Sequence, residues 1–305
     1  MTDERLHEFY EELVRGLRDR GVLCGITSGL ACVHFQVAET TKDCDLLCHD
    51  SDFSTLLQVL GDTVLDGQPC RYRGHLTPPL DAQWHRGGWT SHFRWGNGPE
   101  AVTLDVFGRA LRGSSRWEHE LSGIYVSPHV VSEMKRTSRD KDWPFITGLG
   151  ELLLESGDPR GWLHIYDLDT LRRILRGQQP PPELVERRPL LQLALRNDGL
   201  LEAALLAERQ LWSQLDRLRI ELYRRALKPY NLAVIGARIP VETPLADQHQ
   251  ARLACARTSL RPAPLLDYGI ERLLAESRAA TEQNVRPEAM AWLPDIRANF
   301  NYLKP

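Results

Sequence analysis

Ser28-Gly29-Leu30-Ala31 and, ten residues after Ala31, Thr41-Lys42-Asp43-Cys44-Asp45 are the two stretches that decide the fold. Side chains alternate along a strand, so Asp43 and Asp45 share one face while Cys44 and Leu46 turn to the core. Two carboxylates so placed can grip one cation. Magnesium suits them, because it takes oxygen from one or two carboxylates and completes its shell with water and substrate phosphates. Upstream, residues 22–26 read as a short buried strand, and Gly29 opens a helical stretch through Ala31, Val33 and His34. The turn between them exposes backbone N–H groups that can meet an anion, and a glycine lets the backbone approach closely.

A third acid stands in Ala101-Val102-Thr103-Leu104-Asp105-Val106-Phe107, with Val102, Leu104 and Val106 on one face and Thr103, Asp105 and Phe107 on the other. Aspartate is depleted in strands, and burying its charge alone costs several kcal/mol, so Asp105 calls for a metal or a basic neighbour. Three converging acids can bind two cations roughly 3.5–4 Å apart, activating the attacking oxygen and steadying a leaving pyrophosphate.

The order Ser28-Gly29-x-Ala31, Thr41-x-Asp43-x-Asp45 and Asp105 resembles the nucleotidyltransferase superfamily, whose fold is shared by DNA polymerase beta, kanamycin nucleotidyltransferase and the abortive-infection toxin nucleotidyltransferases. The likeness covers about residues 20–155. It extends to Val131-Ser132-Glu133-Met134-Lys135 and Arg139-Asp140-Lys141-Asp142, similar to the helix-borne Lys followed by Lys-Asp of many bacterial members. The toxin-like members usually carry Gly-Gly where this chain has Ser28-Gly29.

The resemblance implies an α/β fold: a nucleotidyltransferase-type mixed twisted sheet with flanking helices over residues 1–127, then a mainly helical region, 128–305, walling the cleft. It implies magnesium-dependent transfer of a nucleoside monophosphate from a nucleoside triphosphate, such as ATP, to a hydroxyl acceptor, with release of pyrophosphate. Asp43 and Asp45 would hold magnesium, and Asp105 would be the third ligand or the base for the acceptor hydroxyl. Ser28 and Gly29 would cradle phosphate, and Lys135 and Lys141 would neutralise developing charge. The acceptor stays open among a small molecule such as an aminoglycoside, a tRNA end and a protein hydroxyl; a toxin would also have an antitoxin partner. The rival from another class is a non-catalytic nucleotide-binding or interaction protein on the same fold. Keeping three costly charges together argues against it.

With 305 residues, 42% of them hydrophobic and 26% charged, the composition is that of an ordinary globular protein of about two domains. A formal net charge of −3 leaves room only for a local basic face toward nucleic acid. No run reaches the ~18–20 apolar residues of a membrane span, and the charged N-terminus lacks a secretory apolar core, so the expected location is cytoplasmic. Cys24, Cys32, Cys44, Cys48, Cys70 and Cys255 make no Cys-x-x-Cys pair, which favours reduced, buried thiols over structural zinc.

Helical periodicity appears in Leu6, Phe9, Tyr10, Leu13 and Leu17, a stripe to lay on the sheet. Trp84-His85-Arg86-Gly87-Gly88-Trp89 reads as a hairpin turn between extended segments. After Val126 helices take over: Ser127-Pro128 has the form of an N-cap and first helical residue, and Asp140 is placed to cap a helix running to the break at Gly157-Asp158-Pro159. Gln178-Gln179-Pro180-Pro181-Pro182 reads as a linker stiffened by proline. Leu211, Leu215, Leu218 and Leu222, surrounded by Arg209, Arg217, Arg219, Arg224 and Arg225, read as an amphipathic helix with a solvated basic face.

Overall fold

The stripe of Leu6, Tyr10, Leu13 and Leu17 becomes the buried side of α1 (Asp3–Asp19) in the computed structural model, which describes residues 3–114 and 116–303. The chain then runs through β1 (Cys24–Thr27), α2 (Ser28–His34), β2 (Asp43–Cys48), α3 (Phe53–Asp62), β3 (Val64–Leu65), β4 (Gln68–Tyr72), α4 (Ala82–His85), β5 (Thr90–Trp95), β6 (Val102–Phe107), β7 (Leu121–Ser122) and β8 (Tyr125–Val126). The first strand starts at Cys24, not Val22, because the Val22 N–H closes α1 on the Leu17 carbonyl at 3.1 Å.

These strands form one mixed sheet in the order β3-β4-β5-β6-β2-β1-β8-β7. β2 lies parallel to β6 and β1 parallel to β8; the other neighbours are antiparallel. Alternation holds along the central strands. Cys44, Leu46, Phe93, Trp95, Leu104 and Val106 are buried in a core shared with Leu13 of α1 and with Leu56 and Leu60 of α3. Each such apolar side chain contributes about 1.5–3 kcal/mol on burial, which fixes which face of each strand turns inward. The polar alternates are thereby forced onto the other face.

From Pro128 onward the chain is helical: α5 (Pro128–Met134), α6 (Asp142–Glu155), α7 (Leu168–Leu175), α8 (Pro182–Arg187), α9 (Leu190–Leu195), α10 (Leu201–Ala237), α11 (Leu245–Ser259), α12 (Pro264–Tyr268) and α13 (Ile270–Glu282). Ser127 caps α5 as expected, its hydroxyl accepting from the Val130 N–H. At α6 the cap position falls on Lys141 rather than Asp140, because the neighbouring carboxylate, Asp142, is drawn inward and buried. Gln178–Pro182 joins α7 to α8, and Leu171, Ile174 and Leu184 on either side share one core cluster, so the stretch connects adjacent helices within one body.

The 37-residue α10, about 55 Å long at 1.5 Å per residue, ties the two halves together. Tyr223 donates its hydroxyl proton to the Gly87 carbonyl at 2.5 Å and Tyr230 to that of Thr77 at 2.8 Å. Its arginines are not all solvated: Arg219 is mostly covered and pairs with Asp216 at 3.0 Å. The Trp84–Trp89 stretch is not a hairpin turn. Asp81 accepts from the Gln83 N–H, α4 forms, and both tryptophans pack into the core around α10. Among the described residues no helix is long and apolar enough to cross a membrane, and all six cysteines are unpaired.

Candidate active site

Strand register lays two rows of side chains across the polar face of the sheet. In the first, His92 stands opposite Asp105, Asp105 opposite Asp45, and Asp45 opposite Thr27. Arg73 extends that row past β4, its N–H donating to the His92 carbonyl at 2.9 Å. The second row reads Arg71, Arg94, Thr103, Asp43. With strands about 4.8 Å apart, Asp45 and Asp105 are immediate neighbours and Asp43 lies two residues along on the same face. Parallel pairing of β2 with β6, segments far apart in sequence, is what gathers the three acids.

The acids act on one another. Burial raises the Asp45 carboxyl well above the usual carboxylate range, and the charges of Asp105 and Asp43 raise it further; a hydrogen bond from Ser28 and the charge of Lys135 work in the opposite direction. Asp105 has two basic partners that the sequence reading did not name. Arg73 Nη2 donates to Oδ2 at 3.3 Å and lies 3.1 Å from Oδ1, and His92 Nδ1 lies 2.8 Å from Oδ1. Neither nitrogen is aligned for a hydrogen bond onto Oδ1. The signal for His92 was present: Thr90, His92 and Arg94 are the polar alternates of a strand whose other face is Ser91, Phe93 and Trp95.

The Ser28-Gly29 turn is built around the acids. Ser28 has a left-handed backbone (φ 55°), a conformation that costs a non-glycine residue about 1–3 kcal/mol and gathers at functional sites. A Cβ on Gly29 would stand 2.5 Å from Thr41 Oγ1. That same hydroxyl donates to Asp43 Oδ1 at 3.0 Å, so the missing side chain of Gly29 admits the residue that orients Asp43.

Lys135 and Lys141 part company. Lys135 is buried just after α5, with Nζ 3.4 Å from Asp142 Oδ1 and 5.2 Å from the centre of the Phe145 ring. Asp142 also accepts from Thr137 Oγ1 at 2.6 Å and Arg139 Nε at 2.8 Å, which makes it the anchor of Lys135. Lys141 is exposed ahead of α6, and Lys135 is the lysine whose charge bears on Asp45.

Among the described residues no three His, Cys, Asp or Glu side chains make a ready-formed metal cage. The donor set still fits magnesium, which needs only one or two carboxylates from the protein, and the repulsion that raises Asp45 is relieved by a cation between the acids. Asp43 and Asp45 are the carboxylates left free to take such a cation, since Asp105 is engaged by Arg73 and His92. Compared with protein-family models, with curated proteins and with solved structures, the chain matches none.

Proposed function

We propose that this chain is a nucleotidyltransferase that moves a nucleoside monophosphate from a nucleoside triphosphate to a hydroxyl acceptor. The observation that carries the reading is the pairing of Asp45 with Asp105 on adjacent strands, with Asp43 on the same face and Ser28 and Lys135 acting on Asp45. The acceptor oxygen attacks the α-phosphorus and forms the new P–O bond. The bond from that phosphorus to the oxygen bridging the α- and β-phosphates breaks, and its electron pair leaves with pyrophosphate. The acceptor proton passes to the Asp105 carboxylate, which Arg73 and His92 hold in place. Lys135 and Ser28 offset charge on the triphosphate. Magnesium bound by Asp43 and Asp45 would supply the positive charge that polarises the α-phosphate. Six unpaired thiols agree with work in the cytoplasm.

The test is to incubate the protein with each labelled nucleoside triphosphate, magnesium and extract of its own host, then fractionate. Label should enter one fraction, RNA, protein or small molecules, and Asp45→Asn should lower the rate by about 100-fold or more while the fold is kept. A wild-type protein that labels no fraction overturns the proposal.

A further inference from the structure

The second row of the sheet face ends in two arginines, Arg94 and Arg71, directly opposite each other on β5 and β4. Like charges so paired are destabilising. Among the described residues neither forms an ion pair, and the Nε of each is buried without a hydrogen-bond partner. Both line a cavity of about 240 Å³ with Arg252, Arg238 and His75, and no Asp or Glu lines it. Arg252 is 5% exposed. It is fixed by carbonyl oxygens, Thr77 at 2.9 Å and Gly74 at 2.5 Å, and by the Tyr72 ring 4.8 Å away. Its Nε, like those of Arg71 and Arg94, is buried without a hydrogen-bond partner among the described residues. A cavity lined by four arginines and no carboxylate is a place where a negative charge is favoured.

The sheet order sets where these arginines lie relative to the acids. Ser28 follows β1, and Lys135 follows α5, the helix after β8; both strands lie on one side of β2. The arginines lie on the other side, on β5 and β4, about 5 and 10 Å beyond β6. The acids therefore separate two cationic flanks. In a phosphoryl-type displacement the attacking and leaving oxygens stand roughly in line on opposite sides of the phosphorus. With the departing pyrophosphate on the Ser28 and Lys135 flank, the arginine flank receives the acceptor. We infer that the acceptor carries phosphate, held by Arg71, Arg94, Arg238 and Arg252, with its hydroxyl delivered to Asp105. An aminoglycoside, being a polycation, is repelled by such a surface. The inference rests on the proposed transfer reaction, and the phosphate can belong to a nucleic-acid end or to a small phosphorylated molecule.

Two measurements on the full chain separate these statements. Binding is read without triphosphate, by fluorescence anisotropy of an RNA oligomer with a free 3′-hydroxyl and by its displacement with a nucleoside 5′-monophosphate. Transfer is read as KM for acceptor and for triphosphate. The Arg71→Gln/Arg94→Gln protein should lose roughly tenfold or more in oligomer or monophosphate affinity and raise the acceptor KM by a similar factor, with the triphosphate KM within about twofold of wild type. Arg238→Glu, at an exposed position, should give the same pattern should the double variant fail to fold. Tight, salt-sensitive binding of the oligomer alone points to nucleic acid, and preference for the monophosphate to a small acceptor; either supports the inference. Unchanged affinities in the variants, a raised triphosphate KM, or efficient labelling of an aminoglycoside overturns it. Phosphate binding that the variants lose, in a wild type that transfers nothing, counts against the transfer reaction and leaves the phosphate surface standing.

Discussion

Asp45 is held against its own preference. Burial and two neighbouring acids raise its carboxyl group, so the folded protein keeps a proton that the unfolded chain releases. The sign follows: stability falls as pH rises from the ordinary carboxylate range toward the raised native value. Asp45→Asn removes that penalty. In magnesium-free buffer the variant should melt above wild type at pH 7–8, by on the order of 1 kcal/mol, with the gap closing below about pH 4, where the carboxyl is protonated in both states. Added magnesium should raise the melting temperature of wild type and leave the variant unmoved; identical melting curves for the two proteins at every pH would remove the strained acid. Lys135 is strained differently, because its charge serves both Asp142 and the acid face. Lys135→Ala should weaken triphosphate binding by about 1.5–3 kcal/mol in calorimetry with magnesium and also lower stability, since it takes a partner from a buried carboxylate. Lys141→Ala should change neither. The shared face of Asp43 and Asp45 was legible in the sequence, since alternation is a local property, whereas the place of Asp105 beside them rests on the pairing of β2 with β6. The burial of Lys135 was not legible, because it depends on Asp142 turning inward, and Asp142 does so under contacts from Thr137 and Arg139 as well as Lys135.

Among the elements, the turn before α2 shows how glycine can be read for the right place and an incomplete reason. In the sequence Gly29 reads as a point of close approach to phosphate; within the chain, what approaches is Thr41. Gly29→Ala should displace Thr41 and with it Asp43, costing about 1–3 kcal/mol and a larger share of activity. Thr41→Ala in the Gly29→Ala background should cost less than it does alone, because clash and hydrogen bond belong to the same hydroxyl. A double-mutant cycle should therefore give a coupling of about 0.5–3 kcal/mol, and strict additivity would show that the two residues do not meet. Gly87 and Gly88 make the opposite case. Their pairing suggested a hairpin, yet a Cβ on Gly87 would stand 1.9 Å from the Pro262 carbonyl oxygen and one on Gly88 2.3 Å from the Tyr223 hydroxyl. Those contacts come from α10 and from the connection between α11 and α12, far along the chain, so no local pattern could announce them. The same limit hid the arginine rows: Arg71 and Arg94 stand out only once β4 is known to pair with β5.

On the scale of the whole molecule, the acid face works only if the helical half stays where the sheet needs it, and Asp216 of α10 is one anchor. It is buried, accepts from the Ser138 N–H at 3.0 Å, and pairs with Arg219 at 3.0 Å and Arg112 at 3.4 Å. It thus joins α10 to the loop after α5 and to the chain leaving β6, the segments next to Lys135 and Asp105. Burial alone raises its carboxyl group, but Arg112 and Arg219 outweigh that and hold it below the usual carboxylate range. The pH dependence therefore runs opposite to that of Asp45: this contribution is full above about pH 4 and is lost as pH falls through the lowered native value. Asp216→Asn keeps the shape but leaves two covered guanidinium groups without their carboxylate, which should cost about 3–5 kcal/mol. Denaturant unfolding at pH 7 should show that loss, and the difference from wild type should shrink at acid pH as the wild-type carboxyl is protonated. A loss under about 0.5 kcal/mol, or one that does not depend on pH, would mean that α10 is held to the sheet by its apolar contacts and the tyrosine bonds alone.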